Sequence, residues 1–121
     1  VAYTGWELSG TDRAQLLTLI APAYPDVIAH HITARFGDTT MPDAVEAEVV
    51  GFADDGVGVQ ALIVKINGSV KRPGGGVFHI TWSIDRAAGR KPVDSNAVIA
   101  EKGWTPFSVG WKIDVTPKVW P

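Results

Sequence analysis

Apolar and polar side chains alternate along most of this chain, and at two places the period lengthens to that of a helix. Ala2, Thr4, Trp6 and Leu8 share one face of an extended segment and Tyr3, Gly5 and Glu7 the other, because successive side chains of a strand point to opposite sides. Ser9 and Thr11 are N-cap residues, and Ser9 with Asp12 three places on makes a weak capping box. A helix is predicted from there to about Ile20, with Arg13, Leu16, Leu17 and Ile20 at helical spacing, until Pro22 and Pro25 stop it. Ile28 to Phe36 alternates again as a strand and halts at Gly37. After a polar loop from Asp38 to Asp43, two apolar runs, Val45 to Ala53 and Val57 to Ile66, flank Asp54-Asp55-Gly56, a hairpin signal. Asn67 to Gly76, with Pro73 and three consecutive glycines, reads as an irregular, flexible loop leading into a strand from Val77 to Ile84. Asp85 to Gly89 turns away, Ser95 caps a short helix from Asn96 to Lys102, and Val109 to Val115 is the last strand. This order predicts one α+β domain over residues 1–121 with a mainly antiparallel sheet.

Composition narrows the function classes. With 45% apolar and 20% charged residues over 121 positions, the chain is long enough to bury a core. A net charge of −2 argues against a protein that holds duplex DNA by neutralising phosphates, though not against a small anion in a local pocket. There is no cysteine for a disulfide or thiolate site, no apolar run of membrane-spanning length, and no secretory h-region at the start. The expectation is a cytoplasmic monomer with no membrane partner.

One tripeptide occurs twice. His31-Ile32-Thr33 and His79-Ile80-Thr81 both lie in alternating runs, and two of the three histidines are in them. In a strand each copy sets an imidazole and a hydroxyl side by side, with Phe78, Ile80 and Trp82 turned to a core in the second copy. Two imidazoles flanking a phosphodiester can carry an in-line displacement without metal: one, neutral, takes a proton from water, and the other, protonated, gives one to the departing oxygen. Thr33 and Thr81 are placed to donate to the non-bridging oxygens as charge develops. Which histidine is acid and which is base is open.

At these residues the chain resembles the 2H phosphoesterases, in which each motif reads His, hydrophobic, Thr or Ser, then usually hydrophobic; here they stand as His31-Ile32-Thr33-Ala34 and His79-Ile80-Thr81-Trp82. Ile28 to Thr33 and Lys91-Pro92-Val93-Asp94-Ser95-Asn96 look like segments of the cyclic phosphodiesterase domains of plant-type tRNA ligases and their bacterial and phage relatives. The resemblance implies two pseudosymmetric antiparallel-sheet lobes around a central cleft, with one or two helices packed outside. It also implies hydrolysis of nucleotide 2′,3′-cyclic phosphates, on RNA ends or mononucleotides, to a 2′-phosphomonoester, with no cofactor or metal. Asn67 to Phe78 is too short and Gly-rich for the helix that usually precedes the second motif.

Other residues are candidates for substrate binding. Tyr3 shares the predicted cleft face, whereas Trp6, Phe36 and Trp82 read as core. Arg35, two places beyond Thr33, lies on the motif face, and Lys71 and Arg72 precede the second motif; each is placed to clamp a phosphate. Ser95 and Asn96 belong to the family-like segment but also suit a plain helix cap. A metal shared by His30 and His31 is rejected, since strand neighbours point apart. The alternatives are the same site acting on a cyclic oligonucleotide messenger, a non-catalytic nucleotide-binding module, and a structural or carbohydrate-binding β-domain suggested by the five tryptophans.

Overall fold

Two breaks in the alternating pattern decide how this chain folds. The structure, a computed structural model, describes residues 2–121. The first break falls at Ala29, which takes φ 45, a left-handed conformation that non-glycine residues seldom adopt. Before it, β2 (Asp26–Val27) runs antiparallel to β6 (His79–Ile84), and the amides of Ile28 and Ala29 still donate to the Trp82 and Thr81 carbonyls, each at 3.0 Å. After it, the His30 carbonyl accepts from Leu8, and β3 (His31–Phe36) pairs with β1 (Tyr3–Leu8). The run predicted as one strand, Ile28 to Phe36, is therefore divided between two sheets. The second break is at Asp114. It ends β7 (Thr105–Ile113) and begins β8 (Val115–Trp120), so the predicted last strand, Val109 to Val115, is also divided.

The result is an α+β fold with two antiparallel sheets, one ordered β3-β1-β8 and the other β2-β6-β5-β4-β7, where β4 is Ala47–Asp54 and β5 is Val59–Ile66. Helix α1 (Gly10–Leu19) starts where Ser9 accepts from the Asp12 amide at 3.1 Å, so that cap is as expected. Trp6, Leu8 and Ile32 from the small sheet, Leu16 from α1, and Leu62, Val64, Ile80 and Trp82 from the large sheet form one buried cluster. The alternation read along β1 and β6 thus holds, and the buried indoles are satisfied: Trp6 Nε1 donates to Asp43 O at 2.8 Å and Trp82 Nε1 to Ile20 O at 2.9 Å. A second cluster, including Val59, Ile63 and Ile84, lies under Val98 and Ile99 of α2 (Asp94–Lys102).

Three local expectations change. The hairpin after β4 closes through a longer turn from Asp55 to Gly58, because the Asp55 carboxylate accepts from both the Val57 and Val59 amides. Helix α2 begins at Asp94, and Ser95 lies within it as a buried residue, so Ser95 is not its cap. Asn67 to Gly76 holds no helix but is tied down: Arg72 N donates to Gly76 O at 3.1 Å and Gly75 N to Arg72 O at 3.0 Å. Among the described residues, no helix is long and apolar enough to cross a membrane.

Candidate active site

The sheet switch at Ala29 sets β3 beside β6, and that brings the two His-Ile-Thr motifs together. Ala29 is fully buried, and its carbonyl accepts from Arg13 Nε of α1 at 2.9 Å. Arg13 Nη2 also reaches the Ile28 carbonyl at 3.5 Å. Arg13, read from sequence only as one of the positions at helical spacing with Leu16, Leu17 and Ile20, is thus a positioning residue: its guanidinium satisfies carbonyls that the kink takes out of a sheet ladder.

On β3, His31 and Thr33 share a face as expected, and His31 Nε2 lies 3.1 Å from Thr33 Oγ1. His30 departs from expectation. It stands before the strand, after the kink, so strict alternation does not hold there, and its Nδ1 lies 3.0 Å from Nδ1 of His31. Its Nε2 faces the Glu7 carboxylate at 3.4 Å. Glu7, His30, His31 and Thr33 therefore form one chain of polar contacts. Burial, with His30 and His79 nearby, pushes the His31 imidazole down to about 4 from its ordinary 6.5.

On β6, His79 Nδ1 lies 2.8 Å from the Val77 carbonyl. A carbonyl only accepts, so Nδ1 carries the hydrogen and Nε2 is the basic nitrogen. Burial lowers this imidazole's pKa, partly offset by the Val77 contact, and Arg72 lowers it further. Thr81 Oγ1 donates to the Pro92 carbonyl at 3.1 Å, and Ser95 Oγ lies 2.9 Å away. Since Thr81 has one hydrogen and it is used on Pro92, Ser95 is the donor in that pair.

Both motifs line one cavity of about 200 Å³, which contains His31, Thr33, His79 and Thr81 together with Tyr3 and Arg72. Asn96, Phe36, Ile28, Pro92 and Val93 complete its wall. Arg72 is held in place: Nη2 donates to Asn96 Oδ1 at 2.8 Å and Nε to the Gly75 carbonyl at 3.1 Å. At Gly76, φ is +86 and an added Cβ would stand 3.0 Å from Arg72 Nη2, so the glycine loop is wrapped around this guanidinium. The Lys91 to Asn96 segment is anchored by Arg90, which pairs with Asp55 at 2.7 Å and Asp94 at 3.5 Å.

The candidates separate as follows. Tyr3, Arg72 and Asn96 are in the cavity wall, with Tyr3 5.5 Å from His31 between ring centroids. Ser95 is buried behind Thr81 rather than in the wall. Arg35 and Phe36 exchange the places expected of them. Thr4 pairs with Arg35 and Gly5 with Thr33, so Ala34 is an extra residue on β3. Such a bulge reverses the alternation beyond it. Arg35 turns to a separate surface pocket, and Phe36, 57% exposed instead of core, joins the cavity. Lys71 is exposed and lies in another depression, next to Trp104. Sequence reading missed Trp120, whose indole stacks on Tyr3 at 5.0 Å and lies 4.9 Å from the His31 ring. The signal was the alternation of Val115, Pro117 and Val119 against Thr116, Lys118 and Trp120, which continues past Asp114.

Among the described residues, no group of three or more His, Asp or Glu side chains is arranged to hold a metal ion. No protein-family model, curated protein or solved structure matches the chain.

Proposed function

We propose that this protein is a metal-independent phosphodiesterase of the 2H type that opens nucleotide 2′,3′-cyclic phosphates, acting as a cytoplasmic monomer in RNA processing or repair. The observation that carries this reading is that His31 with Thr33 and His79 with Thr81 line one cavity beside a fixed guanidinium, Arg72. Tyr3, Phe36 and Trp120 add aromatic surface next to it.

In this reading a phosphodiester sits against Arg72, whose charge favours an anion. His79, uncharged and with Nδ1 committed to Val77, takes a proton from water at Nε2 as the water oxygen bonds to phosphorus. The bond from phosphorus to the 3′ oxygen of the ribose breaks, and that oxygen takes a proton from His31, leaving a 2′-phosphomonoester. His31 on its own is a poor proton store at neutral pH because burial favours its neutral form. His30, in contact with it at 3.0 Å and with solvent, supplies a proton at Nδ1 that makes the ring an imidazolium. The anionic substrate favours that charged form, and the proton given to the 3′ oxygen leaves from Nε2, on the Thr33 side. Thr33 donates to a non-bridging oxygen. Thr81 does the same once its hydrogen leaves the Pro92 carbonyl, with Ser95 still donating to Thr81 Oγ1.

The test is turnover of nucleoside 2′,3′-cyclic monophosphates in the presence of a chelator. Wild-type protein is expected to give the 2′-phosphate, and His31→Ala and His79→Ala to lose about 10²- to 10⁴-fold, the usual worth of a positioned acid or base. Equal turnover in all three proteins, or turnover only with added metal, would overturn the reading.

A further inference from the structure

The cavity between the histidines, at about 200 Å³, is smaller than the roughly 300–1,000 Å³ of sites that enclose a small organic ligand. A cyclic phosphate fits there only with the rest of its molecule lying elsewhere. A groove of about 570 Å³ opens from the cavity, sharing Phe36, Arg72, His79 and Asn96 with it. It runs between the glycine loop and the C-terminal part of α2, past Ile99 and Ala100, and ends at Trp104.

The indole at that end is seated by the backbone. Gly51 of β4 stands next to a bulge, where the β4 register shifts between Val49 and Gly51. A Cβ on Gly51 would come within 2.5 Å of Trp104 Cε3. The ring therefore packs where a side chain would otherwise be, as a fixed aromatic surface. Beyond Trp104 the next depression holds Lys65 and Lys71, with Glu48 as its carboxylate. From the histidines outward the order is thus a phosphate-sized cavity with a guanidinium, an apolar groove with an aromatic ring at its far end, and, past that ring, a pair of ammonium groups on an open surface.

We propose that the groove is a second subsite that receives the neighbouring nucleotide of an RNA strand whose cyclic-phosphate end occupies the histidine cavity. The proposal rests on the phosphodiesterase reading and narrows its substrate from mononucleotides to strand ends. A base stacked on Trp104 gains affinity without sequence preference, because every base has a π-face. Lys65 and Lys71 then meet the next phosphate, which gives Lys71 a role outside the cavity. The far end is open toward the lysines, so a linear strand can leave by it, whereas a cyclic dinucleotide must turn back to its first phosphate.

The experiment compares a nucleoside 2′-monophosphate, a trinucleotide ending in a 2′-phosphate and a cyclic dinucleotide as ligands of the full chain, by calorimetry. It also compares kcat/KM for the cyclic-phosphate forms of the first two. The variants are Trp104→Leu and Ala100→Trp; the second fills the groove from an exposed helix position. Wild-type protein is expected to bind the trinucleotide about 10- to 100-fold more tightly than the monophosphate. Both variants should bring that ratio toward one. Equal binding of trinucleotide and monophosphate by the wild type, an advantage that survives in folded Ala100→Trp, or a cyclic dinucleotide bound as tightly as the trinucleotide, would each overturn the proposal. A trinucleotide advantage without ring opening of any cyclic phosphate sinks the phosphodiesterase reading and leaves the subsite. Ring opening without that advantage does the reverse.

Discussion

One inserted residue, Ala34, decides which side chains reach the proposed phosphate site. Because two residues of β3 stand opposite one of β1 there, Phe36 replaces Arg35 on the cavity face. The charge that the site needs is supplied instead by Arg72, fixed by Asn96 and the Gly75 carbonyl. Arg72→Ala is therefore expected to raise KM for a cyclic phosphate by about 10- to 100-fold, the worth of a hydrogen bond to a charged group. Arg35→Ala should change it by less than about twofold, since an isolated surface charge contributes little. Steady-state kinetics on the two variants checks this directly. His30 offers a second test at the same scale. If it resupplies the His31 proton, His30→Ala should lower kcat about tenfold, within the range of acid–base contributions, and free imidazole in the buffer should restore part of it. Loss of activity without imidazole rescue would count against a proton-transfer role.

At the scale of elements, the site depends on how closely β1 and β3 approach. Gly5 faces the β3 backbone so tightly that an added Cβ would overlap the Ile32 carbonyl oxygen. Gly5 also pairs with Thr33 at the edge of the bulge. Gly5→Ala forces the strands apart where His31 and Thr33 are held, and overpacking of this kind costs about 1–3 kcal/mol. Urea denaturation should show that loss, and turnover should fall with it. Arg13 acts between elements: it joins α1 to the kink at Ala29 through two carbonyls. The strand periodicity of Ile28 to Phe36 was legible in the sequence, and so was the pairing of His31 with Thr33. The division of that run between sheets was not, because it is stabilised by a side chain 16 residues earlier and leaves no mark on local alternation.

At the scale of the whole molecule, folding places two imidazoles in poorly hydrated positions, and stability must follow their titration. Both have folded-state pKa values below the ordinary 6.5, with His31 at about 4. The unfolded chain then binds more protons than the native one in the window between, so stability falls as pH drops from about 6.5 toward 4 and levels off above it. The slope is at most about 1.4 kcal/mol per pH unit for each buried imidazole. Urea midpoints measured from pH 7 to 4.5 should show the decline, and a His31→Gln, His79→Gln double variant should flatten it. A wild-type curve that is flat across this range would contradict the buried, neutral state of the pair.

By itself the sequence determined the α+β class, the apolar faces of β1 and β6, the apolar run that becomes β5, the Ser9 cap of α1, and the pairing of each histidine with its threonine. These follow from periods of two and of about 3.6 residues, which are local properties of a polypeptide. Only the tertiary structure decided that β2 and β3 belong to different sheets, that the strand after Asp114 returns Trp120 to His31, that Ser95 backs Thr81, and that Phe36 and Arg35 exchange faces. Each of these turns on a single irregular residue or a contact between distant parts of the chain. A period says which side chains share a face; the kink, the bulge and the long-range hydrogen bonds say what that face meets.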